Sequence, residues 1–415
     1  MKSDIVIIGG GLASILAGIK LLKAGKSVII VSAGQSALHF SSGSMGLYSH
    51  HDGEDVVHPL DHLDSLAENH PYTKIGGREK VKNLLLEGCK ILEEAGISLK
   101  GSIERNHYRL TPFGMLQPAW LTLSDHLTVE SPNDIKWKKA ALIGIKGFLD
   151  FFPEYLRNGL EKLGVQCTMA DVNIREFEIL RKNPTEMRAP NIARVLNDEA
   201  LTNYAAEINR HIGDADVAII PAVLGLNDEG PVKKVRDMVK CELYSVSTTP
   251  TAVPGIRMQI MLRHLFKKLG GWYLLGDTAT DGIFSEKNNL KSLNTANLGA
   301  NALTAEHYIL ATGSFFSKGL RATYSEIIEP IFGLDVDFPK SRQEWFDENL
   351  FKAQPFMKFG VKTDKDFLCH RGGKKINNLH AIGGVLEGCD PMREGAGAGV
   401  AISSALFVAD QILKN

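Results

Sequence analysis

The sequence reads as an α/β protein: a Rossmann-like nucleotide-binding domain with a second α/β domain inserted in it. Three observations carry this reading. Residues 4–31 run strand, glycine turn, helix, strand. Residues 140–246 repeat apolar strands between helical stretches, with no second glycine fingerprint. Late in the chain, apolar segments ending in Ala311-Thr312-Gly313 and Gly383-Gly384 return to the first pattern, and a glycine-rich helix follows. Such alternation favours an open, largely parallel sheet.

The first unit is the most explicit. Asp4-Ile5-Val6-Ile7-Ile8 is a β-branched run, and Gly9-Gly10-Gly11 follows at once. Leu12, Ile15, Leu16, Ile19 and Leu22 then keep helical spacing, Gly25 closes the helix, and Val28-Ile29-Ile30-Val31 is a second strand. This βαβ unit sets a phosphate on a helix N-terminus. Gly9 permits the tight turn and Gly11 lets backbone approach the phosphate. Ser14 stands where a third glycine or alanine lets helix and strand pack closely. A dinucleotide site ends its second strand in Asp or Glu, which holds the adenosine ribose. Here that place falls on Val31-Ser32-Ala33. Either other groups hold the ribose or there is no adenosine, and the second option points to FMN.

Residues 34–49 form a small, hydroxyl-rich loop containing His39, Ser41, Ser42, Gly43 and Ser44. It leaves the strand edge where α/β proteins bind ligands, so its serines are candidates for a flavin ring or phosphate. Residues 77–95 are helical, stopped by Gly96, and residues 117–137 are turns and short strands broken by Pro118 and Pro132. The second α/β pattern has strands at 140–145, 165–169, 217–221 and 242–246, with a helix from Gly147 to Leu163. Helix 255–268 ends at Gly270-Gly271, strand 272–275 follows, and residues 280–301 form a polar hairpin. The expected domains are 1–105 with 255–415, and an inserted 106–254.

Bulk properties exclude several classes. Net charge is −1, so no general field recruits nucleic acid. Five scattered cysteines without a CxxC argue against an iron–sulfur cluster or structural zinc in this chain and suit reduced thiols. No secretory signal is expected, and no run of about 18 apolar residues appears.

The glycine turn, the Ala-Thr-Gly strand end and the Ala381-Ile382-Gly383-Gly384 strand with its glycine-rich helix resemble the flavoproteins of the fumarate reductase and glutathione reductase class. Residues 34–44, 185–194 and 313–320, with Glu329 to Asp335, resemble the flavoprotein subunits of anaerobic glycerol-3-phosphate dehydrogenases. That resemblance runs over nearly the whole chain. It implies FMN, with FAD as the alternative. It also implies a larger FAD-containing catalytic subunit and an iron–sulfur, membrane-anchoring subunit as partners at the cytoplasmic face of the inner membrane. The implied reaction oxidises sn-glycerol 3-phosphate to dihydroxyacetone phosphate, with electrons reaching quinone. A non-catalytic electron-transfer or assembly subunit, and a flavin oxidoreductase of another hydroxy or keto acid, remain alternatives.

A phosphate-bearing substrate calls for arginine forks, and alcohol oxidation for a base. Arg188 and Arg194 flank Asn191 and are candidates for the phosphate; Arg257 and Arg263 are alternatives, and His39 and His264 are candidates for the base. Gly313 should lie beside the cofactor at its strand end, and Gly384, Gly395 and Gly397 along its remaining side. No metal site is expected.

Overall fold

The structure, a computed structural model, describes residues 1–414 and divides into two compact units. Unit 1 comprises Met1–Ala37, Met45–Ala95 and Leu262 onward; unit 2 comprises Leu38–Ser44 and Gly96–Met261.

Unit 1 is built on strand β1 (Ile5–Ile8), helix α1 (Leu12–Lys23) and strand β2 (Val28–Ser32). β1 lies inside a six-stranded sheet, parallel to β2 on one side and to His307–Leu310 on the other, with Ile5 opposite both Val28 and His307. Trp272–Leu275 extends the sheet beyond β2, and Lys374–Ala381 extends it beyond His307–Leu310. The antiparallel strand Leu368–Arg371 closes that edge. All four β1 side chains are at most 2% exposed. A strand covered on both faces needs an unbroken apolar run, which is why Ile5 to Ile8 shows no polar alternation.

Helices Arg78–Glu94 and Gly397–Lys414 pack together in unit 1. They cross closely because Gly88 has no side chain: a Cβ there would come within 2.3 Å of Ile402 Cγ2. Gly397–Lys414 is, among the described residues, the one helix long and apolar enough to cross a membrane. Most of its length is buried against the unit, so its apolarity is accounted for by core packing.

Unit 2 carries a four-stranded parallel sheet in the order Gln166–Val172, Lys139–Ile145, Val217–Pro221, Glu242–Val246. Side chains alternate between its faces, as strand geometry requires. Ala141, Ile143, Ile145, Ala218 and Ile220 pack with Phe177, Met187, Ile192 and Tyr204. Ala140, Leu142, Val217 and Ile219 pack with Trp137, Phe151, Leu156 and Leu160.

Two expectations shift. The helix expected from Gly147 begins at Pro153, because Gly147 takes φ +80° in a turn and proline is suited to the first helical position. The compact units also depart from the expected boundaries. Leu99–Gly101 pairs with Leu121–Leu123, and the start of helix Val253–Lys268 contributes Arg257 to a buried ion pair with Asp125, so both segments group with unit 2. The loop 38–44 joins them there.

Candidate functional site

In unit 1 the carboxyl ends of β1, His307–Leu310 and Lys374–Ala381 converge on the glycine turn. Gly9 takes φ +112°, and a Cβ on it would lie 2.2 Å from Ala311 O, so only glycine lets the two strand ends approach. Gly10 is closed off by the Tyr273 and Ser32 hydroxyls, and Tyr273 Oη donates to Gly10 O at 3.1 Å. Gly11 caps α1 without a side-chain cap, and the first turn holds no acid. Its outward side is open: the nearest atom to a Cβ would be Ser36 Cβ at 3.8 Å. An uncapped helix start with open backbone is suited to an anion.

Gly313 and Gly384 meet at the neighbouring strand ends, a Cβ on Gly384 lying 3.8 Å from Gly313 Cα. Gly383 packs on the first turn of α1, against Ala13. The side-chain oxygens of Ser14, Ser36 and Thr312 are buried without a hydrogen-bond partner. Orphaned hydroxyls beside an uncapped helix start fit a phosphate-bearing cofactor, because a bound phosphate would satisfy them.

The remaining expected cofactor contacts have these surroundings. Ser32 is buried and donates from Oγ to Gly34 O at 2.8 Å, so it does not replace the missing ribose acid. Gly395 packs against the 46–49 segment, where a Cβ would lie 2.6 Å from Ser49 Cβ. Gly397 is exposed beside Pro391 at the start of its helix. Ser41, Ser42, Gly43 and Ser44 lie in unit 2. Gly43 fits between Leu123 and Pro254, its carbonyl accepts from Leu123 N at 2.9 Å, and its own N–H faces Ser41 Oγ at 3.3 Å. Ser42 donates to Ser44 at 3.4 Å. Gly255 leaves room for the same loop: a Cβ there would lie 2.2 Å from Leu38 O.

Unit 2 gathers polar groups at the carboxyl edge of its own sheet. The chain leaves strand Lys139–Ile145 toward one neighbour and returns to the other, making a switch point beside Val217–Pro221. Open α/β sheets bind ligands outside such points. Asp150, past the first of these strands, is buried and takes Arg188 Nη1 at 2.5 Å and Ala189 N at 3.2 Å. Arg188 keeps half its side chain exposed. Arg194 is exposed and donates to Asn191, whose amide is held by Glu186. The two arginines therefore have different partners and make no common fork. His264 is exposed on its helix, and Arg263 lies over the Tyr273 ring in unit 1.

A buried network was invisible in the sequence. Arg257 donates to Asp125 Oδ2 at 3.0 Å and to Leu224 O at 3.0 Å, and Asp125 Oδ1 pairs with His126 Nδ1 at 2.9 Å. Burial alone would push the Asp125 carboxyl up; the neighbouring charges of His126 and Arg257 outweigh it and hold the group well below the usual range. The helix that carries Arg257 also carries Gln259, and Gln259 Oε1 lies 3.3 Å from His39 Nδ1. Burial lowers Lys100, beside His126, to about 8.

His70, Cys389 and Glu394 offer ligand atoms within 4.8 Å of one another in unit 1. His70 Nδ1 accepts from Tyr72 N at 3.1 Å, so Nε2 carries the proton and donates it to Glu394 at 3.1 Å. This arrangement holds protons and needs no ion to satisfy it.

The FAD binding domain family matches residues 4–400. The fold and the glycine turn thus define an FAD-binding-type oxidoreductase flavoprotein. Over its full length the chain is similar to the B subunit of anaerobic glycerol-3-phosphate dehydrogenase from Yersinia enterocolitica (42% identical, 98% of that protein covered) and from Pectobacterium carotovorum (40%, 99% covered). It belongs to the family of these B subunits. Among solved structures it is similar to a flavocytochrome c3 fumarate reductase in an open conformation (9% identical, TM-score 0.45, all of this chain and 78% of that one). It is also similar to 3-ketosteroid Δ1-dehydrogenase from Sterolibacterium denitrificans (13%, TM-score 0.41, all of this chain and 99% of that one). The family match is to FAD, so the expectation of FMN drawn from Ser32 gains no support from it, whereas the alternative, FAD, does.

Proposed function

We propose that this chain is a flavin-dependent subunit that oxidises sn-glycerol 3-phosphate to dihydroxyacetone phosphate. Electrons leave through partner subunits to quinone, with fumarate or nitrate as terminal acceptor in anaerobic glycerol catabolism. The complex sits peripherally at the cytoplasmic face of the inner membrane. The single observation that carries the reading is the open, uncapped glycine turn with its orphaned hydroxyls, in a chain of this family.

FAD is the cofactor that this reading takes. The amides after Gly11 would receive its phosphates, with Ser14, Ser36 and Thr312 completing them. Gly313 and Gly384 would leave room beside its ring system. When bound, the flavin supplies the hydride acceptor.

The chain's own groups do the rest. Arg188, oriented by buried Asp150, presents its exposed edge to the substrate phosphate. A guanidinium fixed by a carboxylate on one edge spends less entropy when its other edge binds an anion. His39, whose Nδ1 lies 3.3 Å from Gln259 Oε1, is the base of this reading and takes the hydroxyl proton.

One observation favours a second reading, an electron-relay or assembly subunit: Arg188, Arg194 and His264 share no partner and form no cluster of base and clamp. Anaerobic addition of glycerol 3-phosphate to the flavin-loaded chain decides between them. Bleaching of the flavin absorbance in the chain alone supports oxidation here. Bleaching only after the larger subunit is added supports the relay.

A further inference from the structure

Arg263 is a cation without an anion beside the glycine turn. It lies in the second half of helix Val253–Lys268, in the part of that helix that groups with unit 1. Among the described residues it makes no ion pair, and its Nη1 is buried without a hydrogen-bond partner. Arg257, six residues earlier on the same helix, is by contrast fully committed to Asp125 and Leu224 O. Arg263 instead lies over the ring of Tyr273, with Cζ 5.4 Å from the ring centroid.

Its place is fixed by packing. Phe266, one turn later on the same face, is fully buried. It fills the space that Gly18 of α1 and Gly271 leave open: a Cβ on Gly18 would lie 2.6 Å from Phe266 Cε2, and one on Gly271 2.3 Å from Cζ. Phe266 also meets the Tyr273 ring edge-on, with centroids 6.3 Å apart. Tyr273 pairs with Ile30 of β2 and carries the contact on to the turn, where its Oη donates to Gly10 O at 3.1 Å. The guanidinium of Arg263 is therefore one aromatic ring away from the backbone of Gly10.

Charge around the turn is one-sided. The first turn of α1 holds no acid. Val31-Ser32-Ala33, where a dinucleotide site carries a carboxylate for the ribose, holds none either. A buried guanidinium nitrogen left unpaired costs free energy that a bound anion recovers. In βαβ nucleotide sites an arginine near the end of the second strand takes a phosphate, whereas an acid there takes the ribose hydroxyls.

We propose, on the reading of the glycine turn as the cofactor site, that Arg263 binds a phosphate of the flavin nucleotide. It is the charged member of a set whose other members are the amides after Gly11 and the unpartnered hydroxyls of Ser14 and Ser36. Tyr273 is its positioning residue, supporting the guanidinium with its ring and the turn with its hydroxyl. The missing carboxylate at 31–33 then has a physical reason. A carboxylate beside Arg263 would pair with it and cancel the charge that the phosphate needs.

The test titrates the full chain, stripped of flavin, with FAD at low and high salt. Arg263→Met keeps the apolar stem over Tyr273 and removes the charge. It should raise the Kd for FAD about 10–100-fold, the worth of a charge-assisted hydrogen bond. It should also flatten the rise of Kd with salt, because the screened ion pair is gone. Arg263→Lys keeps the charge and should keep part of the affinity and the salt dependence. The thermal midpoint of the flavin-free chain should be the same in all three, since Nη1 has no partner to lose. Unchanged FAD affinity in Arg263→Met, or an unchanged salt dependence, overturns the proposal and leaves the flavin reading standing. A lowered midpoint in the flavin-free Arg263→Met chain assigns the arginine to the fold and likewise overturns it. No uptake of flavin by the unaltered chain overturns both.

Discussion

Arg257 Nη2 lies 3.0 Å from Asp125 Oδ2, and both side chains are buried, at 2% and 8% exposure. The pair joins the helix that begins at Val253 to the segment after strand Leu121–Leu123, and its guanidinium also holds the loop carbonyl of Leu224. Removing one partner strands the other charge. Asp125→Ala should therefore cost about 3–5 kcal/mol in urea unfolding, and a paired Asp125→Leu, Arg257→Met variant should recover most of it.

The same pair sets an acid dependence. The folded Asp125 carboxyl is held below its unfolded value. Its contribution is therefore complete above the unfolded pKa of about 3.9 and is lost as pH falls through the folded value. Unfolding free energy followed from pH 5 to pH 2 should fall less steeply in the paired variant than in the unaltered chain.

His107 gives a second window, with its own sign. Burial lowers its pKa from 6.5 to about 4, and its Nε2 lies 2.7 Å from Thr122 Oγ1. Below pH 6.5 the unfolded chain binds a proton that the folded chain refuses until about pH 4, so stability falls as pH drops across that range. At about 1.4 kcal/mol per unit, the loss approaches 3 kcal/mol by pH 4. His107→Gln should flatten the slope of unfolding free energy against pH between 6.5 and 4.

The glycine turn separates two effects. Gly9→Ala places a Cβ 2.2 Å from Ala311 O at φ +112°, so the strand ends must part. Flavin content, read from the absorbance of the purified chain, should fall at least tenfold. Gly11→Ala meets nothing nearer than 3.8 Å, so the fold should survive and any loss of flavin reports the phosphate approach itself.

Arg188→Gln should raise KM for glycerol 3-phosphate about 10–100-fold with a small effect on kcat, the worth of a charge-assisted hydrogen bond to phosphate. Asp150→Asn should shift KM in the same direction by less, since it loosens the guanidinium without removing it. Steady-state kinetics with an artificial acceptor reads both. An unchanged KM in Arg188→Gln would remove Arg188 from the substrate site.

Much of the fold was legible because local rules and tertiary demands agree. Ile5 to Ile8 are buried on both faces, so the strand is unbroken apolar sequence, and Gly9-Gly10-Gly11 stands where backbone must approach backbone. The departures have physical causes. Position alone offers Ser32 as a ribose contact, but its hydroxyl turns back to Gly34. The glycine cluster offers Gly395 to the cofactor, but it makes room for Ser49. The sequence offers Arg257 as an alternative for the substrate phosphate, yet it is among the most buried side chains of the chain.

By itself the sequence determined the α/β class, the nucleotide turn and the family, because each is written in spacing that short-range geometry reads directly. Only the tertiary structure decided which polar groups meet. Asp125 and Arg257 are 132 residues apart, His39 and Gln259 are 220, and no local period records such a pairing. It decided equally that Leu350 and Phe351 stay in water, since their sequence is as apolar as a core turn. Burial is a property of what surrounds a residue, and in this chain those surroundings come from distant segments.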